Sequence, residues 1–580
     1  MKTERRYQGV PVSPGIARGA AYIFRADEEL PPRREVADVE AEIHRLHEAL
    51  AATHRQITAL HNRVLASLGA NDAAIFESHL MVVEDGVVLE EVQKFLRAEY
   101  CNAEHAFSTV MQRYVRSFGG MDDPYLRERA HDIQDVMRRV THNLLGKEPG
   151  GLAHLATPHI VLAHNLTPSD TAEMNRANVL GFCTEAGGRT SHTAIMARSL
   201  NIPAVVGLHE MLGEIESGTP VLLDGYGGIL IVHPTAQTLY EYGELATRRR
   251  LAEGELTSLR DTASTTRDGH HVTLSANIES PDDMAQVQAH GAEGVGLFRT
   301  EFLYLKGDKL PGEDEQTAAY TRVAEAAKPH PVILRTLDLG GDKLHHLLNA
   351  TEEENPFLGW RAIRVCLERT DIFKTQLRAI LRASVVGNVK LLLPMISGLP
   401  ELRKAKAILD ECRAELRAEG RAFAEKMEVG IMIEVPSAAL IADLLAREVD
   451  FFSLGTNDLV QYTVAVDRTN ERIASLYEPT HPAILRLIQQ TVAAARAAGI
   501  WVGICGEMAG DIVLTPLLIG LGVEELSCGA SVLPRVKRAV QSLTLTTCQT
   551  LATAALQNAT GEETLALCEA TAREHYAELL

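Results

Sequence analysis

Apolar residues recur at helical spacing from Val36 to about Leu145. Val39, Ile43, Leu46 and Leu50 form one stripe, the signature of a helix with a single buried face. Further amphipathic stretches run from about Ala74 to Arg97, Glu104 to Phe118 and Tyr125 to Leu145, with short breaks between them. The spacing predicts a four-helix bundle. On either side the texture changes. Gly9 to Phe24 and Pro158 to Val232 carry short apolar runs such as His159-Ile-Val-Leu-Ala163 and Val221-Leu-Leu-Asp224, broken by Gly and Pro. The bundle is therefore expected as an insertion in a smaller α/β unit. A charged helical stretch from Leu239 to Leu259 then leads into Asp261–Gly269, which has the composition of a linker.

Beyond it, eight short apolar runs begin near Val272, Val295, Val332, Lys390, Gly430, Phe451, Val502 and Glu525, each followed by polar residues and a helical stretch. Strands alternating with helices imply right-handed parallel βαβ units, and eight of them predict a closed (β/α)8 barrel of the TIM type. The fold class expected is thus multidomain α/β: an α/β domain with an inserted helical bundle, then the barrel. Its parts are placed at 1–30 and 148–234 (α/β domain), 31–147 (bundle), 235–268 (helical linker or hinge) and 269–580 (barrel).

Composition narrows the picture. A chain of 580 residues is long enough for several cores. No run approaches the roughly 20 apolar residues of a membrane span. Met1 to Pro11 hold charges and no apolar stretch of the secretory kind, so a cytoplasmic location is expected. Eight cysteines without a close CxxC pair fit reduced thiols better than disulfides or zinc. A net charge of −20 disfavours a nucleic-acid partner and favours a basic protein surface.

Barrels of this kind place their chemistry where strands end. Phe298-Arg299, Leu334-Arg335, Ile433-Glu434, Leu454-Gly-Thr-Asn457-Asp458 and Ile504-Cys505 each put a polar group directly after an apolar run. Glu434 and Asp458 follow neighbouring strands and suit a hard divalent cation, Mg²⁺, with waters and substrate oxygens completing its shell; a capping or salt-bridge role is the plainer alternative for each. Arg299, Arg335, Arg361 and Arg468 supply forked donors that match phosphate and carboxylate oxygens. The plainer alternative is pairing with Glu301, Asp338 or Asp467 at the surface. Cys505, between Gly503 and Gly506-Glu507, is a candidate proton donor, or a small buried hydrophobe.

In the other domain, Gly187-Gly-Arg-Thr-Ser-His192-Thr-Ala-Ile-Met-Ala-Arg198 joins a glycine turn and capping hydroxyls to an amphipathic helix starting at about His192. Amides and dipole at that end favour an attached anion, and histidine is a competent covalent nucleophile. Arg189 is placed to screen phosphoryl charge, and Thr171 is a candidate to orient the ring. A cap or surface residue is the plainer reading of His192.

Taken together these segments resemble the enzyme I family of the bacterial phosphoenolpyruvate-dependent phosphotransferase system. The likeness runs over nearly the whole chain: the His192 segment, Gly294-Val-Gly-Leu-Phe-Arg-Thr-Glu-Phe302, Leu334-Arg-Thr-Leu-Asp-Leu-Gly-Gly-Asp-Lys343, Glu354-Asn-Pro-Phe-Leu-Gly-Trp-Arg361, Asp450-Phe-Phe-Ser-Leu-Gly-Thr-Asn-Asp-Leu459, Ala465-Val-Asp-Arg468 and Cys505-Gly-Glu-Met-Ala-Gly510. The resemblance implies that His192 is phosphorylated and that Glu434 and Asp458 hold Mg²⁺. Arg299, Arg335, Arg361, Asn457, Asp458 and Arg468 then bind phosphoenolpyruvate, and Cys505 protonates the enolate carbon to give pyruvate. It also implies that the α/β domain swings on the 235–268 segment, that the bundle docks a histidine-containing phosphocarrier of the HPr type through Ala74–His79 and Arg129, and that the barrel forms a homodimer.

One departure stands out. The last strand reads Leu526-Ser-Cys-Gly-Ala530, where the family shows Ser-Met-Ser-Ala, so Cys528 and Gly529 are expected to alter a wall near the site. Pyruvate phosphate dikinases and phosphoenolpyruvate synthases share the swinging histidine but carry a nucleotide-binding region, and this chain has no GxxxxGK[ST] pattern. The nitrogen-regulatory branch of the family uses a different carrier and typically adds a sensory domain. A non-catalytic sensor of phosphoenolpyruvate would need neither the nucleophile nor the acid.

Overall fold

The computed structural model describes all residues except 1–2, 26–29, 69, 120–123, 147–151, 153–154, 156, 176, 189–191, 201, 214, 306–308, 341–352, 354, 469, 471–472 and 474–475. The side chains of some helical residues, His192 among them, also lie outside the description. The chain divides into two compact units, Met1–Arg248 and Arg249–Leu580.

In the first unit the strands are β1 (Arg5–Gln8), β2 (Val10–Ser13), β3 (Ile16–Phe24), β4 (His159–Ala163), β5 (Val179–Thr184), β6 (Ala204–Val206), β7 (Pro220–Asp224) and β8 (Ile229–Val232). They form one sheet in the order β1-β8-β7-β3-β4-β5-β6-β2. Its centre, β3 to β6, is parallel. Side chains alternate across a strand, and here the alternation sorts residues into two cores. Val161, Ala163, Phe182, Ala204 and Val206 face one side, while Ile160, Leu162, Cys183 and Val205 face the other. Burial on both faces explains why these strands read as continuous apolar runs.

Between β3 and β4 lie α1 (Val39–Leu68), α2 (Ala70–Val83), α3 (Gly86–Glu99), α4 (Ala103–Gly119) and α5 (Pro124–Leu144). The predicted stripe is the observed one: Ile43 and Leu46 are core, with Val39 and Leu50 packed at its margin. The stretch Ala74–Arg97, read as continuous, is broken in two. Asp85 caps α3 by accepting from the amides of Val87 and Val88, a stop that apolar periodicity does not reveal. Met196, on α7 (His192–Ser199), joins the bundle core, so the helix carrying His192 rests partly on the insertion.

Helix α8, after α6 (Pro168–Ala172) and α7, spans Ala236–Ser258. Glu4 secures its start, accepting from Thr235 N at 2.7 Å and Thr238 Oγ1 at 2.6 Å.

The second unit is a closed barrel of parallel strands: β9 (Thr273–Ile278), β10 (Val295–Phe298), β11 (Val332–Arg335), β12 (Val389–Leu393), β13 (Val429–Ile433), β14 (Phe451–Leu454), β15 (Trp501–Ile504) and β16 (Glu525–Gly529). All eight begin within a residue of the expected positions. Leu297, Ile333, Leu392, Met432, Phe451 and Cys505 fill the interior; their neighbours Phe298, Leu334, Leu391, Ile433, Phe452 and Ile504 face the surrounding helices. Each such side chain contributes about 1.5–3 kcal/mol on burial. Cys528 belongs to this outer core, and a methyl group added at Gly529 would meet nothing within 4 Å. The expectation that the pair alters a wall of the site is therefore corrected for Cys528, because strand alternation turns it away from the interior.

The segment after α8, linker-like in composition, is held in place. Ser264 and Thr266 are buried. Lys537 donates to the carbonyls of Arg260, Thr262 and Gly291 at 3.0, 3.1 and 3.2 Å.

Candidate active site at the barrel mouth

Inward parity carries straight into the site: Arg335 continues Ile333 on β11, and Glu434 continues Met432 beyond β13. Glu434 is 1% exposed, and Oε1 accepts from Met395 N at 2.6 Å. Burial, reinforced by the charges of Asp338 and Asp458, pushes its carboxyl up to about 8. Gly455 makes room for it, since a Cβ there would lie 2.7 Å from Glu434 Oε2.

Asp458 stands in the first turn of the helix Thr456–Val464 that follows β14. Its Oδ2 meets Arg361 Nη2 at 3.3 Å, whereas Oδ1 is buried with no hydrogen-bond partner. An unpaired buried carboxylate oxygen is costly. A hard cation satisfies it and reverses the local preference for protonated carboxyls. Two carboxylate donors, Glu434 and Asp458, suit a hard divalent cation whose remaining positions water and substrate oxygens would fill.

Three of the arginines are paired with carboxylates. Arg335 meets Glu301 at 3.0 Å and Asp338 at 2.8 Å; Arg361 meets Asp338 at 2.9 Å and Tyr462 Oη at 3.2 Å. The plainer pairing with Glu301 and Asp338 thus holds, but inside the site rather than at the surface. Burial alone would raise Asp338; the two guanidiniums outweigh it and hold the carboxylate low. Both guanidiniums stay charged, and Arg335 Nε is buried without a partner. Arg299 is more open and pairs with Glu279 at 2.9 Å. Asn457 is bracketed by the turn after β15, its amide donating to Glu507 Oε1 at 3.3 Å while Oδ1 accepts from Glu507 N at 2.8 Å. Arg468 is exposed, its backbone N–H donating to Gln461 Oε1 at 3.2 Å.

Cys505 is held at four points, one of them its own thiol, which donates to Leu454 O at 3.7 Å. Its N–H donates to Leu454 O at 3.1 Å, its carbonyl accepts from Asn277 Nδ2 at 3.0 Å, and Ser453 Oγ donates to Sγ at 3.2 Å. Burial raises the thiol to about 11, with Arg335 and Arg299 opposing and Glu434 reinforcing. It therefore carries its proton at neutral pH.

In the first unit the outcome is partial. His192 opens α7, but its side chain and the whole of Arg189 lie outside the described residues. Thr171 is fully buried and donates to Thr167 O at 3.0 Å, so it has only lone pairs left to offer a ring. Phe76 and His79, placed by resemblance in a docking segment, are core. His79 lies 3.3 Å from Asp132 and 3.8 Å from Asp135, and Arg129 3.6 Å from Asp132.

Sequence reasoning missed Ser453, Tyr462 and Gly455 altogether and gave Asp338 and Glu301 only a surface role. Parity offered a signal for Ser453, two residues after inward-facing Phe451.

Comparison with known proteins bears on this arrangement. Residues 253–545 match the family described as PEP-utilising enzyme, PEP-binding domain; residues 8–129 and 155–228 match the N-terminal and mobile domains of PEP-utilising enzymes. Fold and site are thus those of a PEP-utilising enzyme. The phosphoenolpyruvate-protein phosphotransferase of Staphylococcus carnosus (strain TM300) is 45% identical over 97% of this chain and 99% of its own. That of Geobacillus stearothermophilus is 48% identical over 92% of each, and that of Bacillus subtilis (strain 168) 45% over 97% of this chain and 99% of its own. The chain belongs to the phosphoenolpyruvate-protein phosphotransferase family.

Proposed function

We propose that this enzyme transfers the phosphoryl group of phosphoenolpyruvate to its own His192, releasing pyruvate, and then to a histidine of an HPr-type phosphocarrier, as the first step of sugar uptake by the phosphotransferase system. It acts in the cytoplasm as a homodimer joined through the barrel. The observation that carries the reading is the barrel mouth itself: a buried, unpartnered Asp458 Oδ1 and Glu434 facing two buried guanidiniums.

Arg335 and Arg361, fixed beforehand by Asp338, receive the anionic donor with little reorganisation; Arg299, Asn457 and Arg468 complete the grip. Mg²⁺ on Glu434 and Asp458 would neutralise phosphoryl oxygens, the larger part of catalysis in such transfers. The P–O bond to the enolate breaks as the P–N bond to His192 forms, and the enolate oxygen keeps the electron pair. Cys505, still a thiol at neutral pH, gives its proton to the enolate carbon. His192 and the barrel belong to different compact units; in this reading the histidine travels to the barrel mouth, and the hinge is the part of the 235–268 segment ahead of the tied stretch that begins at Arg260. The α7 N-terminus favours the phosphoryl group once attached.

Incubation with ³²P-phosphoenolpyruvate and Mg²⁺ tests this. Label should appear on the wild type, vanish in His192→Ala and pass to an HPr-type carrier. Labelling by ATP alone, or turnover surviving His192→Ala, would overturn the reading.

A further inference from the structure

Ser453 is buried in β14 with its side chain on the interior face, and its hydroxyl donates to Cys505 Sγ at 3.2 Å. A thiol sulfur is a weak acceptor, so this donor gains little while Cys505 is protonated. Three other buried serines give their hydrogen to better acceptors: Ser13 to Ala197 O, Ser384 to Leu381 O and Ser275 to Glu525 Oε1. The arrangement gains its value once the sulfur is an anion, because a hydrogen bond to a charged acceptor is roughly twice as strong as a neutral one. The rest of the setting holds the sulfur for that moment. The Cys505 carbonyl is fixed by Asn277, whose Oδ1 accepts from Ser527 Oγ at 2.6 Å. The charges that bear on the thiol come from Arg335 on β11, Arg299 after β10 and Glu434 after β13.

We infer that Ser453 is the positioning residue for the proton-transfer step: it aims the Cys505 thiol and stabilises the thiolate left when the proton goes to the enolate carbon. The inference rests on the function proposed above. In the step, the S–H bond breaks, a C–H bond forms at the enolate carbon, and the electron pair remains on sulfur, where it accepts the Ser453 O–H. Water later returns the proton to sulfur.

The test uses the full chain with Mg²⁺. Exchange of the methyl hydrogens of pyruvate with solvent deuterium reads the proton step in reverse, and the pH profile of Cys505 alkylation by iodoacetamide reads the thiolate. Ser453→Ala should slow exchange about 10- to 100-fold, the effect of removing a hydrogen bond to a charged group, and should move the alkylation midpoint up by about one pH unit. Ser453→Thr, which keeps the hydroxyl, should restore both. Should Ser453→Ala not fold, Ser453→Gly carries the same expectation. Wild-type exchange and an unmoved alkylation midpoint in the folded variant overturn the role of Ser453. Absence of ³²P labelling of the wild-type protein instead overturns the function on which it rests.

Discussion

Asp338 Oδ2 forms an ion pair with Arg335 Nη1 at 2.8 Å. Arg361 takes the other oxygen at 2.9 Å, so one carboxylate neutralises two buried guanidiniums. Asp338→Ala takes the shared partner from both, leaving Arg335 with Glu301 and Arg361 with Asp458. A buried pair broken on one side costs about 3–5 kcal/mol, so the urea midpoint should fall accordingly. Saturating phosphoenolpyruvate should recover part of the loss, because its own charge replaces the missing one. A midpoint unaffected by the substitution contradicts this account.

Gly455→Ala would bring a methyl to 2.7 Å from Glu434 Oε2 and 2.9 Å from Met432 Cγ. Displacing the carboxylate proposed above as a Mg²⁺ ligand should weaken Mg²⁺ binding by about 10- to 100-fold. Calorimetric titration of Mg²⁺ against the variant checks it.

Chelation offers a second view of the same cation. Treatment with EDTA should stop labelling by ³²P-phosphoenolpyruvate, and added Mg²⁺ should restore it. Asp458→Asn, which keeps the shape but removes the charge on the orphaned oxygen, should raise the Mg²⁺ needed for half-maximal labelling at least about tenfold.

Glu4 sets a pH dependence in the first unit. Its hydrogen bonds from Thr238 and Thr235 lower its carboxyl from 4.5 to about 2. A group depressed in the folded state adds stability above its unfolded value and loses it as pH falls through the folded one. The contribution should therefore be intact above pH 4.5 and gone near pH 2. Its size is about 1 kcal/mol after allowance for solvent screening. Acid unfolding of Glu4→Gln, followed by the helical circular dichroism signal, should lack this increment.

How far the sequence revealed these features depends on the range of the physics behind them. The barrel strands were legible because strands buried on both sides must be apolar throughout, and Phe451-Phe-Ser-Leu454 or Val429–Ile433 admit little else. The break at Asp85 was not, since Val82-Val83 and Val87-Val88 carry the apolar pattern across a stop made by one side chain. Arg335, Arg361, Glu434 and Asp458 were recognisable singly by their places after strands and by resemblance. Their mutual pairing through Asp338 was not, because Arg361 and Asp458 meet across 97 positions of chain. Ser453 was hidden differently: parity turns it inward, but what it does there is not legible until its partner on the next strand is known.

The tie made by Lys537 has a practical corollary. Burial lowers the affinity of its amine for a proton, and the Arg260, Thr262 and Gly291 carbonyls are what it has in place of water. A fragment truncated to start at Thr265 would strip away two of these and leave an amine stranded at the base of the cylinder, whereas one begun ahead of Leu259 keeps the full set. The natural cut for producing the catalytic half alone thus lies upstream of the stretch that looks most dispensable.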